Sequence, residues 1–520
     1  MRLRTLAVIV TTTAACLPRG EPPTGTQLLT GRDAFLTGLA PPTGDGVLRI
    51  LLMRPGSTSA LANLSVLSLD ADNNPAPEVV LVPDIDPMFT VNCSGGLASC
   101  TFDAQGTIEV SSNADGPVRV NPVTGDIQPV PLFSEPQPPP LGQRSYVYQS
   151  RTSGTLYDAD GHATPIELAS PPPTNMFASL DQLLANGDFY YVDPQHNLID
   201  IPPTDVPEQV ATGVTYFAFW DTDNGPVLTL DRVTADGSGT QSLVGDPRSG
   251  TETVVPFSVV RATVSPDGRW VLDRENQMNG QFSFFDRSSG ALQSADVGQE
   301  AQFVNWRPGT SEAWVMGFAP DYRTAGTVWI LRPDAPAVSV PGIDLEGGYG
   351  GSSFTPDGVY WYATTPTTDS GTNVFEIGVA DDPTGPRYSL NPPQTQLSGF
   401  WYLPNGRFLS SNYVKDYHRS DARLLDPRTG EDRLLGERGT LTGVGQTRFM
   451  GIFHLEELRG DLVVGGFDDA KPTTLAAEFT EGAFAEPQGT DSLAPGTRII
   501  YQFQARAASP YDGIWMVNCP

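Results

Sequence analysis

The stretch Val264-Ser265-Pro266-Asp267-Gly268-Arg269-Trp270-Val271-Leu272 places a Pro-Asp-Gly turn between two apolar runs. Proline presets one backbone φ and glycine supplies a positive one, so this pattern predicts a tight hairpin. Related turns follow at Pro308, Pro356 and Pro404, and the four prolines are 42, 48 and 48 residues apart. A nearly fixed period of this length predicts a repeat architecture.

A second turn recurs out of phase with the first and ends in Gly after Asp or Asn. Its copies are Asn121–Gly125, Asp246–Gly250, Asp286–Gly290, Asp382–Gly385 and Asp426–Gly430. Short β-type runs such as Gln281–Phe285 lie between the two turns. Each unit therefore reads as strand, tight turn, strand, longer loop, strand, tight turn, strand, which predicts a four-stranded blade of about 45 residues.

The combination of Ser-Pro-Asp-Gly-Arg-Trp at 265–270 with the Asp-x-x-Ser-Gly turn at 286–290 resembles the WD-repeat-like blades of TolB-type β-propellers. The resemblance is strongest over residues 212–440 and implies an all-β β-propeller, with no particular activity. The alternative is a β-sandwich that contains a stray repeat.

The number of blades and the domain boundaries are less sharply defined. About ten blade-like units can be counted, whereas single propellers usually have about four to eight blades. We therefore expect a propeller body over residues 46–520 with seven or eight blades, and extra β-structure or a second propeller within 46–170. Segments Thr497–Gln504 and Gly513–Asn518 are expected to pair with N-terminal strands and close the ring.

The N-terminus predicts export. Arg2 and Arg4 precede the apolar run Leu6–Val10, which is too short to span a bilayer. Residues Thr13-Ala14-Ala15-Cys16 resemble the lipobox of bacterial lipoproteins, although Thr13 stands where that family usually has Leu. The resemblance implies a signal peptide over 1–15 and a lipid on Cys16, and the alternative is ordinary cleavage near Ala15. Residues 16–45 are rich in Pro, Gly and Thr, which predicts a tether.

Composition excludes several classes of partner. The chain has 60 acidic and 31 basic residues and a net charge of −29. Such a surface excludes non-specific nucleic-acid binding and a polybasic membrane patch. Membrane contact is therefore expected through the lipid only, at the outer membrane or the periplasmic face of the cell envelope.

Three cysteines remain besides Cys16. Cys93 and Cys100 flank a loop of small residues that could close a short hairpin disulfide, as an oxidising compartment would allow. Cys519 is then left over. The alternative is three inert, buried thiols.

Loops between the second and third strands vary freely, so binding residues are expected there. The loop Asn412–Ser420 holds one of two lysines and one of four histidines of the chain. Its aromatic and basic residues could form a ligand-facing cluster, or the loop is simply solvated. The predicted binding residues are Arg274, Tyr322, Arg323, Tyr413, Lys415, Tyr417, His418 and Arg419.

One acidic loop resembles the calcium loops of FG-GAP-type propeller repeats. Asp70, Asp72, Asn74 and Glu78 occupy positions 1, 3, 5 and 9 of that loop, and oxygen ligands suit a hard cation. Pro75 stands where those loops usually have glycine. The alternative is an ordinary turn, in which Asp and Asn are common.

Catalytic signatures are scarce. The chain has no His-Glu-x-x-His pair and no Gly-x-Ser-x-Gly elbow. The sequence does not exclude a catalytic pair of carboxylates, because a ring can bring together residues that are distant in the chain. We therefore expect a binding or scaffold propeller for an envelope protein or glycan, with no cofactor other than calcium. The alternative is a hydrolase or lyase that acts on polysaccharide or peptide.

Overall fold

The computed structural model is built from short antiparallel strands with two 3-10 helices. It describes residues 23–520 except 41–44, 59–60, 86–107, 113–115, 130–143, 159–161, 171–179, 204–205, 235, 247–250, 275–276, 299, 318–325, 346–351, 367–372, 393–394, 417, 457–458, 481–482, 487–492 and 506–507. No helix in this part of the chain is both long and apolar enough to cross a membrane.

The first half of the chain contributes strands β1 to β23. Strands β1 to β11 are Thr26–Thr30, Phe35–Leu39, Leu48–Pro55, Ala62–Leu69, Val79–Ile85, Ile108–Ser112, Gly116–Val120, Ile127–Pro129, Ser145–Ser150, Ser153–Tyr157 and Ala163–Glu167. Strands β12 to β23 are Asp181–Leu183, Phe189–Val192, Leu198–Ile201, Glu208–Ala211, Val214–Trp220, Val227–Val233, Thr240–Asp246, Thr251–Val255, Thr263–Val264, Trp270–Asp273, Gln281–Asp286 and Leu292–Asp296.

The second half of the chain continues the pattern. Strands β24 to β32 are Ala301–Trp306, Ala313–Gly317, Gly326–Arg332, Ala335–Leu345, Ser352–Phe354, Tyr360–Pro366, Asn373–Val379, Arg387–Ser389 and Thr395–Tyr402. Strands β33 to β41 are Phe408–Val414, Arg419–Asp426, Glu431–Val444, Arg448–Glu456, Arg459–Gly466, Thr473–Thr480, Ala483–Ala485, Arg498–Phe503 and Gly513–Asn518. The 3-10 helices are Val259–Arg261 and Gln277–Asn279.

These strands form the blades of an all-β propeller, as predicted. Ten sheets are present among the described residues, and one of them has seven strands. That sheet is two blades joined by β35, whose first half pairs with β34 and whose second half pairs with β36. We number the blades in chain order. They are β2–β5, β6–β8, β9–β11, β12–β15, β16–β19, β20–β23, β24–β27, β28–β31, β32–β35, β35–β38 and β39–β41 with β1.

The described residues therefore supply eleven blades, more than the seven or eight expected. Residues 46–170 hold most of blade 1 and all of blades 2 and 3, in the same consecutive strand order as the rest. Blades 2 and 3 have three strands each.

The last blade is closed by both ends of the chain. Strand β1 pairs with β41, and Thr26 lies opposite Met516, as predicted for segment Gly513–Asn518. The prediction is wrong for Thr497–Gln504, because β40 pairs with β39 and β41 instead. Strands β1 and β2 lie inside the segment 16–45, so the tether prediction is wrong for residues 26–39. The apolar residues Leu28, Leu29 and Leu36 pack against the core, and this burial outweighs the Pro- and Gly-rich composition around them.

Hydrophobic clusters join each pair of neighbouring blades from blade 3 around to blade 2. Blade 5 packs on blade 6 through Val244, Val264 and Phe285, and blade 11 packs on blade 1 through Ile500 and Ile50. A sandwich would pair two sheets only, so this succession of sheets excludes that alternative.

Exposure locates the axis of the propeller. In blade 5 the second strand, β17, is almost fully buried, the fourth strand, β19, is mostly exposed, and the first strand, β16, alternates. The fourth strands therefore form the outer rim, and the first strands surround the axis.

Candidate functional site

The two tight turns of each blade lie at one end of the ring, which we call the motif face. In blade 6, Gly268 N donates to Ser265 O at 2.8 Å, and Trp270 N donates to Ser265 Oγ at 2.9 Å. In blade 8, Tyr360 N likewise donates to Thr355 Oγ1 at 3.0 Å. The repeated Ser or Thr therefore caps the hairpin from inside, which explains its place before Pro-Asp-Gly.

The repeated aspartate links each such blade to the next. Ser311 Oγ in blade 7 donates to Asp267 Oδ2 at 2.6 Å, and Tyr402 OH in blade 9 donates to Asp357 Oδ2 at 2.6 Å. Burial acts to raise the pKa of Asp267, but the hydrogen bonds from Ser265 and Ser311 hold it below its ordinary value. The aspartate of the motif is therefore a structural acceptor.

Two arginines make further links on the motif face. Arg307 donates to Gly358 O at 2.9 Å and pairs with Asp381 at 2.7 Å, both in blade 8. Arg407 pairs with Asp468 of blade 10 at 2.8 Å. These two arginines therefore also link neighbouring blades.

The opposite end, where second and third strands connect, is called the loop face. A groove of about 840 Å³ opens there, lined by blade 5 and by segment 256–260, which runs between blades 5 and 6. Its polar wall contains Thr240, Ser242 and Asp231, and its apolar wall contains Val254 and Phe257. Val254 is 55% exposed, so an apolar contact surface is available in this groove.

Asp231 is held in place within the groove. The residue is 4% exposed, and its carboxylate accepts a hydrogen bond from Ser258 Oγ at 2.8 Å and another from Val259 N at 3.3 Å. These bonds secure the 3-10 helix Val259–Arg261 that follows β19. Asp231 therefore shapes the groove as part of its wall.

Arg274 stands beside this groove, at the start of the loop that follows β21. Its Nε donates to Arg261 O at 2.8 Å, next to the groove residue Val260. Tyr216 lines the groove and lies in electrostatic range of both Arg274 and Asp231. Burial lowers the pKa of Arg274 and Arg261 adds to that effect, whereas Tyr216 and Asp273 oppose it. Among the described residues, no carboxylate forms an ion pair with Arg274.

The loop predicted over 412–420 is a tight hairpin between β33 and β34. Tyr413 OH and His418 Nδ1 are 2.8 Å apart, and Arg419 Nη1 donates to His418 O at 3.0 Å. Lys415 is exposed. The structure thus brings Tyr413, His418 and Arg419 together on the loop face, and their role in binding stays a prediction.

The predicted calcium ligands do not converge. Asp70 Oδ1 accepts Asp72 N at 2.9 Å and Asn74 N at 2.8 Å, which is an ordinary Asp-capped turn. Glu78 forms a two-bond ion pair with Arg54, at 2.9 and 2.5 Å. Within the part of the chain that the structure describes, no group of three His, Cys, Asp or Glu side chains could hold a metal ion.

Several predicted residues fall outside the described ranges. They are Cys16, Cys93, Cys100, Tyr322, Arg323 and Tyr417. Cys519 is buried, and its Sγ donates to Leu493 O at 3.4 Å in the core shared by blades 10 and 11.

The strands around the axis carry little charge. In the blades with four described strands, the first strands hold one charged residue, Asp181 at the start of β12, when blade 10 is represented by the part of β35 that pairs with β36. The others are apolar, aromatic or neutral polar residues, as in β16 and β32. The axis therefore offers few groups for acid–base chemistry.

Comparisons with known proteins concern the fold of this chain and do not identify its function. No family model matches the sequence, and no curated protein does. A eukaryotic initiation factor structure matches with a TM-score of 0.35 and 12% identity, over 72% of this chain and 96% of that one. The β-propeller domain of the Trilobed protease from Pyrococcus furiosus matches with a TM-score of 0.28 and 11% identity, over 65% and 96%.

Peptidase structures are also similar. Porphyromonas gingivalis dipeptidyl peptidase 4 matches with a TM-score of 0.31 and 7% identity, over 93% of this chain and 67% of that one. A prolyl endopeptidase matches with a TM-score of 0.29 and 13% identity over 58% of this chain, which spans 46% of that protein's length. No function is transferred from them to this chain.

Proposed function

We propose that this protein is an exported, lipid-anchored propeller that binds a protein or glycan of the cell envelope in the groove between blades 5 and 6. The groove itself supports this function best, because it offers about 840 Å³ with polar and apolar walls on the loop face. The motif face is a poorer candidate, since Asp267, Asp357 and Arg307 are engaged in links between blades.

Binding is favoured over catalysis by what lines the axis. A hydrolase or lyase acting on polysaccharide or peptide needs a nucleophile with its base, a pair of carboxylates or a metal. Among the described positions, the first strands of the four-stranded blades carry only Asp181 as a charged residue, with blade 10 represented by the part of β35 that pairs with β36. The pair His454 and Asp461, with Nδ1 to Oδ2 at 3.0 Å, has an imidazole side chain that is 60% exposed to solvent. The enzyme remains the alternative.

A matched pair of variants tests the groove. Thr240 and Thr251 are exposed threonines of blade 5, and Thr240 lines the groove whereas Thr251 begins β19 at the motif end. We expect Thr240→Trp to abolish binding to whichever peptides or oligosaccharides on defined arrays the wild type retains. Thr251→Trp should bind like the wild type.

Three outcomes decide the matter. Equal binding by both tryptophan variants and the wild type would contradict the groove as the site. Cleaved probes, seen by mass spectrometry, would favour the enzyme instead. No retained probe on either array would count against a binding module for peptides and glycans.

The anchor is tested separately. Removal of Arg2 and Arg4 with the signal peptide would change the net charge from −29 to −31, so only a lipid could hold the chain on an anionic membrane. Cys16→Ala should move the protein from the membrane fraction to the soluble fraction or leave an unprocessed precursor. Membrane retention of a mature chain without lipid would overturn this part.

A further inference from the structure

We propose that the ligand of the groove is a peptide with a free C-terminal carboxylate, and that Arg274 binds this carboxylate. This inference rests on the proposed function and names its ligand class. It starts from an arginine that forms no ion pair with a described residue and stands beside a groove, in a chain with 60 acidic and 31 basic residues.

The guanidinium of Arg274 is held by one bond. Nε donates to Arg261 O at 2.8 Å, which fixes the side chain against the 3-10 helix, and the residue is partly buried. Among the residues that the structure describes, neither Nη group has a hydrogen-bond or ion-pair partner. Partial burial of a charge without a partner costs free energy, and a bidentate carboxylate would satisfy both free donors.

The nearest acid of the groove does not fill this role. Asp231 already accepts Ser258 Oγ and Val259 N, and Tyr216 lies in electrostatic range of both Asp231 and Arg274. Arg261, on the 3-10 helix, adds a second positive charge near Arg274. Asp273 acts on Arg274 with the opposite charge, so the two Nη groups of Arg274, rather than a net positive charge, favour an anionic group here.

The apolar wall favours a peptide over an acidic glycan. Val254 is 55% exposed and Val255 and Phe257 line the groove beside it. A C-terminal residue presents an aliphatic side chain next to its carboxylate, which matches an apolar wall beside a cation. Sugars instead stack on exposed aromatic faces, and the rings of Tyr216 and Phe257 pack against the core between blades 5 and 6.

The test uses fluorescence anisotropy with two peptide pools of random sequence that end in Val, Leu or Ile. One pool carries a free C-terminal carboxylate and the other a C-terminal amide, and a galacturonic acid trimer serves as the acidic glycan. We expect the full chain to bind the free-acid pool at least tenfold more tightly than the amide pool. Arg274→Gln should remove this preference, and Arg274→Lys should keep part of it because lysine is a point charge.

Arg428→Gln is the matched control, since Arg428 is an exposed arginine of the motif face that pairs with Asp426 at 2.7 Å. It should bind the free-acid pool like the wild type. Equal binding of acid and amide pools, or no binding of either, would overturn the peptide C-terminus as ligand. Binding of the galacturonic acid trimer alone would also overturn it. If the acid and amide pools bind equally, or the trimer alone binds, and Thr240→Trp abolishes that binding, the groove remains the site and only its ligand class was wrong. If no probe binds, the proposed groove function fails with the ligand class.

Discussion

At the residue scale, the turn glycines behave as the sequence predicts. Gly268 and Gly358 close the Pro-Asp-Gly turns of blades 6 and 8 with φ values of +72° and +68°. This part was predictable because a turn of this type requires positive φ whatever surrounds it. The surroundings, however, differ from one turn to another.

Substitution of two turn glycines distinguishes the cost of backbone strain from the cost of steric crowding. Gly309 has a φ of +69° and open space where a Cβ would stand, whereas a Cβ on Gly358 would lie 2.8 Å from Pro308 O of the neighbouring blade. Gly309→Ala should cost about 1 kcal/mol through left-handed strain alone. Gly358→Ala should lower the melting temperature more than Gly309→Ala does, because its Cβ would also crowd Pro308 O. Equal losses in thermal melts would show that blades 7 and 8 are not in close contact at this turn.

Ser311 reports on the aspartate link between blades. Because the pKa of folded Asp267 lies below its ordinary value, its ionised form stabilises the protein above about pH 4, and that contribution is lost as pH falls through the folded pKa. Ser311→Ala removes a 2.6 Å bond to this carboxylate and should cost about 1 kcal/mol at neutral pH. The difference in melting temperature from the wild type should shrink toward about pH 3, below the ordinary pKa of an aspartate, and a constant difference would contradict this role.

The partner of that aspartate could not be predicted from sequence. Ser311 lies 44 residues from Asp267, and Tyr402 lies 45 residues from Asp357. Each spacing is about one repeat, so the link depends on how one blade rotates against the next. The residues beside Arg274 are likewise brought together by packing of blades 5 and 6 rather than by local sequence.

At the element scale, the loop after β4 contacts an arginine from the other end of the chain. Asp70, Asp72 and Asn74 have ligand-like spacing, but Arg498 from β40 donates to Asp70 O and Asn73 Oδ1, each at 3.2 Å. Arg498 also pairs with Glu486 at 2.6 Å. A guanidinium from the other end of the chain thus holds the loop that contains three of the predicted calcium ligands.

This arrangement predicts the response to chelation. EGTA should leave the melting temperature unchanged. A calcium ion that bound only the native state would stabilise it, so removal of such an ion would instead lower the melting temperature. Arg498→Gln should lower the melting temperature, because it breaks a partly buried ion pair and frees the loop. A drop caused by EGTA and abolished in Asp72→Ala would instead support calcium.

At the scale of the whole molecule, both chain ends close the ring. Besides the pairing of β1 with β41, Thr24 N donates to Leu475 O at 2.9 Å and Arg32 pairs with Asp512 at 2.5 Å. The sequence predicted this closure from the terminal strands. The predicted number of seven or eight blades is too low, because the early blades carry degenerate turns and the two joined blades share one strand.

Removal of β1 should weaken the whole ring. A chain that begins at residue 34 lacks Leu28, Leu29 and the β1 to β41 pairing, so β41 becomes an unprotected edge. Its melting temperature should fall well below that of a matched chain that begins at residue 23. Coincident melting curves for the two chains would contradict closure by the N-terminal strand.

The central claim is that ligands bind in the loop-face groove between blades 5 and 6. Hydrogen–deuterium exchange of the full chain, with and without the free-acid peptide pool, tests it most directly. We predict slower exchange in segments 214–217, 240–244 and 254–262 and unchanged exchange in the motif turns 265–269 and 355–359. Protection confined to the motif turns, or to the strands around the axis, would contradict the claim.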